Sequence, residues 1–170
     1  MAIIQAILHA HPREFDGPAG LLAHANHHLC QKNIGGFVTA FLAIYDPAAP
    51  RLVYAAAGHP PPLLKSSVDD RILRLDVVSS YPLGIDAANT FEEATVELQQ
   101  GDTLLLYTDG ITEARAKDQT MFESERLEQE FKKCAARPDD LIKHLLKAVN
   151  VHQREQAQVD DQTLVVARIV

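Results

Sequence analysis

The stretch Thr103-Leu-Leu-Leu-Tyr-Thr-Asp-Gly-Ile-Thr-Glu-Ala114 constrains the fold more than any other part of this chain. Residues 103–108 are nearly all apolar and too few for a buried helix. A strand of that kind is covered on both faces, which places it at the centre of a sheet. Asp109-Gly110 ends the run, and by itself this pair is a strong turn signal. A second apolar run, 162–169, follows Asp160-Asp161. If the two runs are antiparallel neighbours, Asp109 and Asp160 fall at the same end of the sheet. The sequence permits that pairing without requiring it.

The other periodicities put helices and strands in separate blocks. Ile3, Ile4, Ile7, Leu8 and His11 repeat at helical spacing up to Pro12. Asp16 is the expected cap of a second helix, with Pro18 in its first turn and Leu22, Ala25 and Leu29 as its apolar stripe. Residues 37–45 and 51–57 read as strands joined by the turn Asp46-Pro-Ala-Ala-Pro50. Short strands are expected at 63–65 and 71–75, and an alternating one at 91–98. Thr120 and Glu123 have the spacing of a capping box, ahead of a helical stripe of Leu127, Phe131 and Cys134. Pro138 opens a further helix that buries Leu141, Leu145 and Val149, and 151–159 read as a polar connection. Consecutive strands with short turns argue antiparallel pairing. The expected fold class is therefore α+β, antiparallel sheets flanked by helices, in one domain of 170 residues.

A formal net charge of -7 argues against a nucleic-acid binder, which needs a basic footprint, and is compatible with cation binding. Cys30 and Cys134 are too few for a disulfide framework and are expected as reduced thiols. The apolar start of the chain lacks the basic region and cleavage site of a signal peptide. No run approaches the roughly 20 apolar residues of a membrane span. A cytoplasmic protein is expected.

Carboxylates without a Cys or His triad suit hard divalent ions, so Asp109 and Asp160 are candidate ligands of Mg²⁺ or Mn²⁺. Such ions polarise a phosphoryl group and activate water near neutral pH. His59, between Gly58 and Pro60, is either a loop histidine bonded to nearby backbone or a group close to substrate. His24 and His28 stand four residues apart on a helix, a spacing that can bind zinc, with His27 beside them. No third ligand follows at characteristic spacing, and a solvated helix face is the simpler account. Glu113 either orients a water or pairs with Arg115. No Gly-x-Ser-x-Gly elbow or Gly-rich phosphate loop offers competing chemistry.

Four segments in this order carry a family resemblance: Ala57-Gly-His-Pro-Pro-Pro-Leu-Leu64, Pro82-Leu-Gly84, Tyr107-Thr-Asp-Gly-Ile-Thr-Glu-Ala114 and Asp160-Asp-Gln-Thr163. Together they resemble the SpoIIE/RsbU-type serine phosphatases, a branch of the metal-dependent (PPM, type 2C) protein phosphatases. The resemblance runs over the whole chain. It implies an α/β sandwich of antiparallel sheets with flanking helices and hydrolysis of phosphoserine or phosphothreonine on a protein. The implied substrate is a STAS-type anti-anti-sigma factor in a bacterial sigma-factor switch. It makes Asp109 and Asp160 metal ligands at a Mn²⁺ or Mg²⁺ two-metal site, with Gly110, Asp161 and His59 as secondary candidates.

The family's N-terminal Gly-Asp-Val-Ser-Gly-His-Gly-like motif has no match in these 170 residues. The chain is accordingly expected to be the C-terminal part of such a domain, with weak metal binding and little activity. An uncovered sheet edge or first helix would favour a homodimer. The alternative is a degenerate phosphatase-like module that binds a partner without catalysis.

Overall fold

The computed structural model describes residues 17–32, 35–134, 137–154 and 156–170. The expected helix near the N-terminus and its successor's cap at Asp16 lie outside them. Along the described chain run α1 (Gly17–Lys32), β1 (Ala40–Asp46), β2 (Arg51–Ala57), β3 (Leu63–Lys65), β4 (Ile72–Arg74), β5 (Ala94–Glu97) and β6 (Thr103–Tyr107). There follow α2 (Asp109–Thr112), α3 (Ser124–Lys133), α4 (Pro138–Gln153) and β7 (Leu164–Arg168). They fall into two compact units. One comprises the chain up to Pro61 and Asp76–Leu98, the other Pro62–Leu75 and Gln99–Val170.

In the first unit β1, β2 and β5 make an antiparallel sheet in that order, with Ala43 opposite Tyr54 and Val53 opposite Thr95. The alanines of β2 leave room for a helix, and α1 buries Leu22 and Ala25 against Ala55, Ala57 and Leu83. Asn26, 1% exposed, bonds both ways to the 81–86 loop. Its Nδ2 donates to the Asp86 carbonyl at 2.8 Å, and its Oδ1 accepts from the Gly84 amide at 2.8 Å. Gly58 has a φ of 66°, and a Cβ there would sit 2.5 Å from the Pro82 ring. The Gly-His-Pro and Pro-Leu-Gly segments are therefore in direct contact. β1 starts at Ala40, not at 37. Val38 instead exchanges two backbone hydrogen bonds with Leu83, at 3.0 and 2.8 Å, which draws the chain off β2.

The second unit holds a four-stranded antiparallel sheet in the order β4-β3-β6-β7. β6 is paired on both sides, as its apolar composition predicts. Leu105, Tyr107 and Ile111 join Leu127 and Phe131 of α3 and Leu141, Leu145 and Val149 of α4 in one core. Each such side chain contributes roughly 1.5–3 kcal/mol on burial. Lys65 is also buried. Its ammonium donates to the carbonyls of Lys132 (2.9 Å) and Cys134 (3.3 Å) at the end of α3 and pairs with Asp70 at 3.2 Å. A cation at a helix C-terminus offsets the partial negative charge there.

Three local expectations are corrected in this unit. Thr120 and Glu123 do not form a capping box. The Thr120 hydroxyl donates to Asp118 at 2.7 Å, while Glu123 takes a φ of 67° and its amide bonds the Thr112 carbonyl at 2.8 Å, so α3 starts at Ser124. Asp109-Gly110 opens the one-turn helix α2 and is not a simple turn. Helix α4 runs to Gln153, inside the expected connection, because Gln153 is buried with its amide bonded to Gln162 at 3.0 Å. Among the described residues, no helix is long and apolar enough to cross a membrane.

Candidate functional site

The pairing left open by the sequence is present. β6 and β7 are antiparallel, with Tyr107 opposite Leu164. Asp109 and Asp160 therefore stand at the same end of the sheet, one just beyond β6 and one just before β7. Hydrogen bonds extend the ladder past the strands. The Thr108 amide donates to the Thr163 carbonyl at 3.2 Å. The Thr108 hydroxyl accepts from the Thr163 amide at 3.0 Å and donates to the Asp161 carbonyl at 3.0 Å. One threonine side chain thus ties the two acidic turns together.

Gly110 brings the backbones still closer. A Cβ at this position would lie 2.4 Å from the Asp161 carbonyl oxygen and 3.3 Å from that of Asp160. Only glycine fits without moving main chain. The usual explanation of an Asp-Gly pair, a positive φ, does not apply here, since Gly110 sits within α2.

Asp109 and Asp160 are both exposed. Asp109 Oδ1 accepts from the Gly110 amide at 3.0 Å, and Asp160 Oδ1 accepts from the Asp161 amide at 2.7 Å. Each carboxylate is oriented by one backbone N–H and keeps its other oxygen available to solvent. Asp161 takes part through its backbone carbonyl, with its side chain exposed. A cavity of about 110 Å³ opens beside the turns, lined by Gly110, Glu113, Arg115, Gln153, Asp160 and Gln162. Glu113 and Arg115 form no ion pair; the Arg115 guanidinium donates to the Gln119 carbonyl at 3.2 Å. Tyr107, just inside the strand, has its phenol pushed above the ordinary value by burial.

The two exposed turns offer carboxylate oxygens, the donor type that a hard divalent ion takes while keeping much of its own hydration. They do not amount to a full protein cage. Among the described residues no three His, Cys, Asp or Glu side chains gather as a metal cluster.

His59 belongs to the first unit, where its Nδ1 stands 3.5 Å from the Thr39 hydroxyl. His24 and His28 meet edge to face with ring centroids 4.5 Å apart, and His27 bonds Gln31 at 2.8 Å. Cys30 and Cys134 are unbridged thiols. Sequence reasoning missed Thr108 and the steric role of Gly110. Both act across the β6–β7 pairing, and the only trace in the sequence is that each apolar run adjoins its acidic turn without a spacer.

Comparison with known proteins adds independent findings. The family model described as stage II sporulation protein E (SpoIIE) matches residues 1–170. Phosphoserine phosphatase RsbU of Bacillus subtilis (strain 168) is 25% identical over 170 residues, covering 99% of this chain and 50% of that protein. The chain therefore spans about half the length of this relative. Among solved structures, the SiaA-PP2C domain of Pseudomonas aeruginosa superposes with a TM-score of 0.82 at 20% identity, over 99% of this chain and 66% of that one. The PP2C phosphatase domain with a regulatory fragment of the Bacillus subtilis cell fate determinant SpoIIE superposes with a TM-score of 0.76 at 22% identity, over 99% and 48%. The fold is PP2C-like.

Proposed function

The chain belongs to the SpoIIE family, and from that premise we propose that it forms the C-terminal part of a divalent-metal-dependent phosphatase domain acting on phosphoserine or phosphothreonine in a protein. The substrate class is a STAS-type anti-anti-sigma factor, and the setting a cytoplasmic sigma-factor switch. Asp109 and Asp160 are the metal ligands. Gly110 and Asp161 serve through the backbone contact that joins the turns, and His59 is a secondary candidate.

The observation that carries this reading is the Thr108–Gly110 clamp, which holds two exposed carboxylate turns together at one end of the β6–β7 pair. Bound Mn²⁺ or Mg²⁺ supplies charge neutralisation of the phosphoryl group and lowers the pKa of water. The protein's part is to present the two carboxylates in fixed register, oriented by the Gly110 and Asp161 amides. Two carboxylates are a sparse set, so ion binding by this chain is weak.

The test measures Mn²⁺ binding by calorimetry together with phosphate release from a serine-phosphorylated STAS protein. A weak isotherm is expected, lost in Asp109→Asn and in Asp160→Asn, with any phosphate release strictly Mn²⁺-dependent. A submicromolar two-site isotherm refutes the weak binding, and binding that survives both substitutions refutes the ligand assignment. A second reading, a partner-binding module without catalysis, draws on the absence of a cluster of three ligands among the described residues. It predicts that the STAS protein binds with Mn²⁺ omitted and keeps its phosphate.

A further inference from the structure

The second unit has a groove of a different character, between the loop closed by the Arg115–Met121 bridge and helices α3 and α4. Two adjoining cavities, about 720 and 400 Å³, share Arg126, Val151 and His152 in their walls. Lys117 and Arg154 line the larger cavity, and Lys147 the smaller. The chain as a whole carries -7, yet this surface gathers four full cations against two carboxylates, Asp118 and Glu130.

Both carboxylates are already engaged. Asp118 accepts from the amide and hydroxyl of Thr120, at 3.2 and 2.7 Å. Glu130 pairs with Lys133 at 2.7 Å and with His144 at 3.0 Å. Among the described residues no carboxylate comes within ion-pair distance of Lys117, Lys147 or Arg154, all three exposed. Arg126 is held in place. Its guanidinium lies 5.7 Å from the Phe122 ring centre and bonds His152 Nδ1, while His152 Nε2 donates to the Thr120 carbonyl at 3.1 Å. Val151, 64% exposed, supplies an apolar spot between the cations.

We propose that this groove is a docking surface for an acidic segment of a partner protein. Charge complementarity selects the occupant: a positioned arginine and three uncommitted cations on an otherwise acidic molecule attract carboxylates and repel a basic peptide. The groove also neighbours the Asp160 cavity along the chain. Ala116 and Arg154 directly follow Arg115 and Gln153 of that cavity. The binding claim does not depend on catalysis.

The test titrates the chain into a fluorescein-labelled peptide of alternating Glu and Ser, followed by fluorescence polarisation. A Gln/Ser peptide of equal length, a short RNA and anionic vesicles serve as alternatives. The acidic peptide is expected to bind, and added salt to weaken it. Simultaneous Lys117→Glu, Lys147→Glu and Arg154→Glu should raise its Kd about tenfold or more. The milder change of all three to Gln, with Tm checked, should give an intermediate loss. No binding, equal binding of the Gln peptide, indifference to charge reversal, or tighter binding of RNA or vesicles each overturns the proposal.

Discussion

Replacing Gly110 by alanine sets two effects against each other. Gly110 lies inside a helical turn, where alanine is favoured by up to about 1 kcal/mol. Local propensity alone predicts a more stable protein. The tertiary contact predicts the reverse, because the new methyl would meet the Asp161 carbonyl oxygen at 2.4 Å, where ordinary contact begins at 3.4 Å. The obstacle is main chain, so no rotamer change relieves it, and the two turns must part by about 1 Å. Forced overpacking of this kind costs roughly 1–3 kcal/mol. After the full propensity gain, a net loss of roughly 0–2 kcal/mol remains, or up to about 8 °C in Tm for a chain of this size. Parting the turns also strains the Thr108 hydroxyl bonds and spreads Asp109 from Asp160. The assay pairs thermal unfolding without metal with Mn²⁺ calorimetry, and both stability and affinity should fall. A Gly110→Ala protein with a higher Tm and undiminished Mn²⁺ binding would refute the steric account of the site.

Thr108→Val keeps shape but removes the hydroxyl between the turns, and a loss of about 0.5–1.5 kcal/mol is expected from urea titration, with weaker Mn²⁺ binding. Unchanged values would show that the backbone ladder suffices. Phe131→Ala empties a fully buried position and should cost about 3–5 kcal/mol, read as a lower urea midpoint. Glu130 has its carboxyl held below the ordinary value, first by the hydrogen bond from Lys133 and then by His144. With the folded value depressed, its stabilisation is complete above the unfolded value and is lost as pH falls through the folded one. Glu130→Gln should therefore flatten part of the decline in Tm below pH 4.5, and an identical acid limb in both proteins would contradict this.

Much of the fold was legible because side-chain period and burial coincide. β6 reads as central from its apolar run, and α4 shows Leu141, Leu145 and Val149 at helical spacing. The site was legible only as a conditional, since two carboxylates at strand ends share a location only if the strands pair. The errors sit where a partner outside the expected element outweighed the expected pairing. Val38 bonds Leu83 in place of β2, Thr120 turns to Asp118 in place of α3, and Gln153 prolongs α4 because Gln162 answers its amide. The groove cations escaped notice because Lys117, Arg126, Lys147 and Arg154 are scattered over 38 residues of sequence and meet only through packing.

The two compact units are braided along the chain, with Pro62–Leu75 assigned to one and Asp76–Leu98 back to the other. No single cut of the gene delivers either unit whole. A fragment beginning at Gln99 would keep β6 and β7 but leave β6 without β3, trading the middle of a sheet for a raw hydrogen-bonding margin. A graft meant to move the acidic turns into another scaffold would have to carry the hairpin of β3 and β4 as a second, separate insert.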